Sequence, residues 1–361
     1  MQIILGIFFH FIGGAASGSF YVPYKKVKGW HWESFWIVGG LFSWLIVPPI
    51  AAWLTVPHFA DIISQTDMST FGWTYFWGIL WGIGGLMYGL GMRYLGMSLG
   101  NSVLLGFTSA FGALAPSIYY NFHPQANKTT FTDLLRTSWG QIVLIGIVLC
   151  LLGIFICGRA GVLKEKELTQ EKKQESVKEF NLVKGLIVCI VSGILSACFN
   201  YGIEAGSKMA DVANQMWKTA NPAETGNFLY RNNVIYIVLL WGGLTTNFIW
   251  TMFLNIRNKT FGDYTDKKTP LLRNYVFCAM AGTLWFLQFF FYGMGESKLG
   301  NGASSWILHM SFIILVANMW GFALKEWKGV SKKTLVTILI GIVVIISSVI
   351  LVGYGNSLKL N

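Results

Sequence analysis

Charge is scarce in this chain. Only 12% of its 361 residues are Asp, Glu, Lys or Arg, where soluble domains carry about a quarter. With 54% hydrophobic residues there is too little polar surface to coat a water-soluble fold. Cysteine is sparse too. Cys150, Cys157, Cys189, Cys198 and Cys278 lie inside apolar runs without metal-ligand spacing, so no disulfide framework and no metal centre are expected. No H-E-x-x-H zinc motif and no phosphate-binding P-loop occurs, which removes the usual sequence marks of a metallohydrolase or an NTPase, and no cofactor is expected. A membrane-embedded enzyme would need a dyad assembled between distant spans. Long polar segments are lacking as well. The connections near 159–181 and 206–229 are too short for a soluble sensor domain.

What the chain does have is apolar runs of about 20 residues, the length that crosses a bilayer as a helix. Ten fit the sequence, at 3–24, 33–56, 71–93, 97–120, 138–158, 182–205, 230–256, 274–295, 301–324 and 333–355. The expected fold is an all-α membrane protein with the lipid bilayer as its solvent. The first run has no basic segment before it and Lys25, Lys26 and Lys28 after it, the reverse of a cleaved signal peptide. The net charge of +11 does not point to nucleic acid, because basic residues collect in cytoplasmic loops. Of the 27 Lys and Arg residues, 20 fall in one set of alternate loops and 7 in the other set with the termini. The first set is predicted cytoplasmic and both termini outside.

The segment Lys164–Lys178, KEKELTQEKKQESVK, is the only long mixed-charge run and reads as a solvated connector. It divides the chain into a first half (1–160), a linker (161–181) and a second half (182–361). Five spans per half give the halves opposite orientations, an inverted repeat. Three echoes agree with this. Gly6, Gly14, Ser17 and Phe20 match Gly185, Gly193, Ser196 and Phe199 at one offset. Trp81 and Tyr88-Gly89-Leu90-Gly91 match Trp285 and Tyr292-Gly293-Met294-Gly295. Leu144-Ile145-Gly146-Ile147-Val148 recurs as Leu339-Ile340-Gly341-Ile342-Val343. Of the 41 glycines, pairs four apart such as Gly14/Gly18, Gly78/Gly82, Gly85/Gly89 and Gly202/Gly206 are expected to bring helix backbones close. Pro116, inside the fourth span, is the position where a kink would form.

Several stretches resemble one family. Gly6-Ile7-Phe8-Phe9-His10, Phe20-Tyr21-Val22-Pro23-Tyr24-Lys25-Lys26-Val27-Lys28, Met92-Arg93-Tyr94-Leu95-Gly96-Met97-Ser98, Trp285-Phe286-Leu287-Gln288-Phe289-Phe290-Phe291-Tyr292 and Ser305-Trp306-Ile307-Leu308-His309-Met310-Ser311-Phe312 look like the bacterial L-rhamnose–proton symporters. The likeness runs over nearly the whole chain. It implies the drug/metabolite transporter architecture of two inverted five-helix halves, and import of L-rhamnose or a related neutral sugar together with a proton. Gly84-Gly85-Leu86-Met87-Tyr88, Glu204 and Glu296 depart from the pattern expected of that family. A carrier of a different sugar, or an exporter of a small metabolite, is the alternative within the same class.

A sugar site needs aromatic faces for C–H surface and amides or hydroxyls for its OH groups; a site that pairs each hydroxyl rejects analogues lacking one. Trp77, Trp81, Tyr88, Trp285, Gln288 and Tyr292, in spans three and eight, supply both kinds, with Asn101 and Asn318 as further intramembrane amides. Spacings of three, four and seven put Trp285, Gln288 and Tyr292 on one helix face, and Trp77, Trp81 and Tyr88 on another. The same residues would equally serve as an interfacial aromatic belt or as interhelical glue. Coupling to a proton needs a group that titrates near working pH. His309 and His10, each buried in a span, suit that role, and so do Glu204 and Glu296 if desolvated. Each also has a structural reading, a hydrogen-bonding histidine or a hydrated helix end.

Overall fold

The computed structural model describes residues 2–125, 128–167, 182–323 and 327–360. Most of the expected charged linker lies outside them. The described residues form helices and turns with no strand. In order they are α1 (Gln2–Ser19), α2 (Tyr21–Tyr24), α3 (Trp32–Gly40), a π-helical turn (Leu41–Ile46), α4 (Val47–Thr55), α5 (Phe59–Ser64), α6 (Met68–Phe122), α7 (Phe131–Arg136) and α8 (Ser138–Glu167). After the linker come α9 (Leu182–Ala205), α10 (Ser207–Ala220), α11 (Asn233–Asn258), a 3-10 turn (Phe261–Tyr264), α12 (Leu271–Leu299), α13 (Gly302–Ala323) and α14 (Lys332–Leu360). Nine stretches among the described residues are helical, long and apolar enough to cross a membrane.

The third expected span, 71–93, is not among the nine. Its helix is rich in Trp, Tyr and Gly, which hydropathy scores low although their rings and small surfaces suit a bilayer. It is the first arm of α6. Helical residues follow one another from 68 to 122, yet α6 is not one straight rod. Trp77 packs its ring 5.4 Å from that of Tyr201, and the Tyr201 hydroxyl donates to the carbonyl of Phe111 at 3.1 Å. Residues 34 apart on a straight helix would be separated by about 50 Å. The two arms of α6 therefore run back on each other along the sides of α9.

Helix packing follows the glycines. A Cβ on Gly14 would enter Phe312, and one on Gly18 would enter Val316, so α1 lies directly on α13. Gly78 and Gly82 meet Gly242 and Gly243, which draws α6 and α11 backbone to backbone. Gly85, by contrast, has nothing within 4 Å of where a Cβ would stand. Further contacts join α1 to α12, α9 to both arms of α6, α12 to α3, α11 to the first arm of α6, and α8 to α14. The stretch Val234–Leu240 of α11 is buried all round, as expected of a helix surrounded by others.

The second span is interrupted. Pro48 and Pro49 have no amide N–H, so the carbonyls of Trp44 and Leu45 lose their usual donors four residues on. Just ahead of them the ladder widens, and the N–H of Val47 reaches back five residues to the carbonyl of Phe42. Pro116 sits inside α6 without ending it.

Polar contacts mark two ends of the bundle. At the lysine-rich end, the N–H of Lys28 donates to Asn274 Oδ1 at 3.0 Å. There too the N–H of His31 donates to Asp263 at 2.7 Å, and Glu167 accepts from Ser331 and Thr334. At the opposite end, Lys128 pairs with Glu204 at 2.6 Å and Lys208 with Asp67 at 3.5 Å. The amphipathic α10 lies there, with Met209, Ala210 and Ala213 turned inward.

Candidate functional site

Two buried features lie along α12. The first is an aromatic cavity. Phe20, Tyr24, Trp36, Ser43, Trp44 and Trp285 line it, and its free volume is only about 10 Å³, room for a single water. Trp285 lies edge-on to Phe20, with ring centroids 4.0 Å apart, and 6.1 Å from Trp36. Trp36 in turn is 6.3 Å from Trp44, and Trp44 is 6.3 Å from Trp81. Trp81 continues the chain of rings to Phe199 at 5.1 Å and Phe289 at 5.8 Å. Gln288, also on α12, is buried and donates from Nε2 to the carbonyl of Trp285 at 2.9 Å.

The second feature is a histidine pair. His10 of α1 and His309 of α13 are 0% and 2% exposed, with ring centroids 6.0 Å apart. Tyr292 packs edge-on against both, at 5.4 Å and 5.3 Å. Its hydroxyl donates to Asn200 Oδ1 at 3.3 Å, and Asn200 donates onward to the carbonyl of Gly112 at 2.7 Å. The rings meet because glycine faces each one. A Cβ on Gly13 would stand 3.0 Å from His309 Cε1, and one on Gly295 2.6 Å from His10 Nε2. Trp285 and Tyr292 are seven residues apart on one helix face, so the cavity and the pair are separated by about 10 Å along α12.

Some of the buried, unpartnered polar atoms lie at these two features, while others are scattered, at Trp30, Ser109, Trp241 and Asn356. Both ring nitrogens of His10 and of His309, Ser43 Oγ, Trp44 Nε1 and Trp285 Nε1 are buried with no hydrogen-bond partner among the described residues. Each such group costs about 1–3 kcal/mol, and native structures keep few of them without a reason. Arg231 Nε, Tyr236 Oη, Asn301 Nδ2, Ser304 Oγ and Ser305 Oγ form a further set, toward the end that carries Glu296.

Of the expected residues, Trp285 lines the cavity and Trp81 adjoins it through Trp44, Tyr292 packs on His10 and His309, and Gln288 is buried on α12 outside the cavity lining. Trp77 is half-buried against Tyr201, further along α6. Tyr88 is 39% exposed, and Asn318 donates to the carbonyl of Ile314 in its own helix at 2.9 Å; neither lines the cavity. The side chain of Asn101 lies outside the described residues. Glu204 and Glu296 stand at the opposite end. Glu204 accepts from Lys128 Nζ and the Tyr120 hydroxyl, both at 2.6 Å, and Glu296 accepts from Asn232 at 2.8 Å. Trp36, Ser43 and Trp44 were not among the expected residues. The signals for them were two tryptophans eight residues apart, on one face, just ahead of a double proline.

An all-helical bundle with aromatic and titratable groups enclosed among its apolar helices is a multi-pass membrane protein with an internal polar site. A family model described as L-rhamnose-proton symport protein (RhaT) matches residues 1–358. The chain is 36% identical over 358 residues to the L-rhamnose-proton symporter of Yersinia pestis (strain Pestoides F), covering 98% of both chains. It is equally similar, at 36% over 358 residues and 98% of each chain, to the L-rhamnose-proton symporter of Pectobacterium carotovorum subsp. carotovorum (strain PC1). The chain belongs to the L-rhamnose-proton symport protein family, whose members are transporters and not enzymes.

Proposed function

We propose that this protein imports L-rhamnose, or a closely related neutral sugar, together with a proton by alternating access. The observation that carries the reading is the cavity of tryptophan faces and unpartnered donors, with a buried histidine pair packed on Tyr292 about 10 Å further along α12. Trp81, Trp285, Gln288 and Tyr292 contact the sugar as its ring displaces the present close packing. His10 and His309 take up the proton. Two imidazolium charges 6.0 Å apart would repel by about 3 kcal/mol at an effective dielectric constant of 20, so the pair holds one proton at a time.

The architecture in this reading is ten spans in two inverted halves, 1–160 and 182–361 about the 161–181 linker, of the drug/metabolite transporter type. Helix pairing supports it. The contacts of α1 with α12 and α13 correspond to those of α9 with the two arms of α6. Phe20 on Trp285 corresponds to Phe199 on Trp81, each residue displaced by the offset of its own sequence echo. Gly146 against Val352 corresponds to Gly341 against Cys157 at the offset of the third echo. The members of one pair differ. Tyr292 is 1% exposed where its counterpart Tyr88 is 39% exposed, an inequality that a carrier reverses when its halves exchange conformations. The lysine-rich end is cytoplasmic and both termini face outside, so Glu204 and Glu296 stand at the external closure.

Sugar-driven alkalinisation of the medium around energised cells tests the coupling. The reading requires external pH to rise on addition of L-rhamnose, and an uncoupler to abolish accumulation. Uptake without proton movement and indifferent to the uncoupler would overturn it.

A further inference from the structure

The second span supplies half the cavity wall, and the transport reading leaves it unassigned. We infer that Ser43 and Trp44 read the hydroxyl pattern of a pyranose sugar, Ser43 Oγ and Trp44 Nε1 each meeting one ring hydroxyl while Trp36 covers the C–H face. This rests on the reading of the protein as a carrier of a neutral sugar.

Three observations separate these residues from ordinary core. Ser43 and Trp44 are 1% and 3% exposed and line the cavity, yet their polar atoms have no partner among the described residues. A serine or tryptophan retained only for packing would cost less as alanine or phenylalanine, because the desolvated group would be gone. Trp36, on the same wall, differs. Its Nε1 donates to Asn247 Oδ1 at 2.9 Å, so its polar edge is committed and only its ring face is left for a ligand. The neighbouring tryptophans thus divide the work of a sugar site, one as a fixed wall and one as a free donor.

The backbone around them is built for this placement. Ser43 and Trp44 lie in the π-helical turn, an irregularity found most often at functional sites. Gly40 lets the Trp44 ring lie against its own helix, and Gly282 admits the backbone of Gly39; a Cβ at either place would collide. This close approach of α3 and α12 sets Trp44 and Trp285 around Trp36. At about 10 Å³ the cavity cannot hold a pyranose, so binding parts these rings. The carbonyls of Trp44 and Leu45, without donors at Pro48 and Pro49, make the π-helical turn the place where the helix yields at least cost.

The test is equilibrium binding of L-rhamnose and its 2-, 3- and 4-deoxy analogues to the purified full-length protein, the Ser43→Ala variant and the Trp44→Phe variant, with melting temperatures measured alongside. Each variant is expected to bind L-rhamnose at least tenfold more weakly, about 1.4 kcal/mol. Ser43→Ala should melt at the wild-type temperature or above it, and for one deoxy analogue it should bind as the wild type does. Wild-type affinity for L-rhamnose in both variants would overturn the assignment of Ser43 and Trp44 while leaving the carrier reading intact. Absence of saturable binding of any of these sugars to the wild type would overturn both. If Trp44→Phe does not fold, Ser43→Ala alone decides the matter, since it removes a hydroxyl that bonds to none of the described residues.

Discussion

Replacing Gly295 by alanine puts a methyl group into the histidine pair. The new Cβ would lie 2.6, 2.7 and 2.8 Å from Nε2, Cδ2 and Cε1 of His10, so it meets a whole ring edge and not the tip of a flexible chain. The ring has little room to retreat, with Tyr292 at 5.4 Å and His309 at 6.0 Å on its other sides. Overpacking of this kind costs about 1–3 kcal/mol. That cost falls on the conformation in which α1 lies on α12, and is relieved in the one where they part. The population ratio should then shift by about 5- to 150-fold. Gly85→Ala is the matched control, because nothing lies within 4 Å of its Cβ and any general benefit of alanine in a helix is shared. Initial rates of L-rhamnose uptake into proteoliposomes, normalised to reconstituted protein, should fall at least fivefold for Gly295→Ala and stay near wild type for Gly85→Ala. Equal rates in the two variants would refute the packing of His10 against α12.

Three other substitutions probe separate parts of the account. His309→Gln keeps hydrogen-bonding capacity but not the titration, so sugar exchange between loaded vesicles and medium should persist while accumulation driven by an imposed pH gradient disappears; retained accumulation would remove His309 from the coupling. Lys128→Ala and Glu204→Gln break the bridge at the opposite end, and a double-mutant cycle on melting should give a coupling of about 1 kcal/mol, whereas strict additivity would mean the pair holds nothing closed. At the lysine-rich end, burial works against the charge of Asp263, but hydrogen bonds and the nearby charge from His31 outweigh it and hold the carboxyl below its ordinary value. A depressed folded value contributes stability above the unfolded carboxylate range, lost as pH falls through the lower folded value. Asp263→Asn should therefore melt below wild type at pH 7, with the difference shrinking as pH is lowered below about 4; a difference independent of pH would show that the charge is not what matters.

The apolar runs announced most of the fold, because a bilayer forces each backbone to satisfy itself within a helix. The first arm of α6 was legible as a helix, but its low hydropathy leaves it outside the nine stretches apolar enough to cross a membrane. Direction reversal inside α6 was legible only as a change of span, between 71–93 and 97–120. The site was half legible. Trp285, Gln288 and Tyr292 share a face by spacing alone, but the meeting of His10 with His309 depends on how α1 crosses α13. Gly13 and Gly14 decide that crossing and Gly295 admits His10 beside α12, and glycine in a membrane helix reads only as generic close packing. Trp36, Ser43 and Trp44 escaped because a tryptophan in a span is usually belt or core. What marks Trp44 out is an indole nitrogen without a partner among the described residues at the wall of the cavity, and no sequence displays that. Tyr88 and Asn318 share the chemistry of their neighbours, yet one is exposed and the other bonds its own helix.

Saturation binding of L-rhamnose to the purified protein as a function of pH tests the central claim, that one buried site couples a sugar to a proton. If proton binding is required for sugar binding, Kd rises as pH increases, approaching about tenfold per unit above the titration of the histidine pair. In the doubly substituted His10→Gln, His309→Gln protein the same curve should be flat. A wild-type Kd that does not change with pH, or a slope that survives the loss of both histidines, would contradict the account.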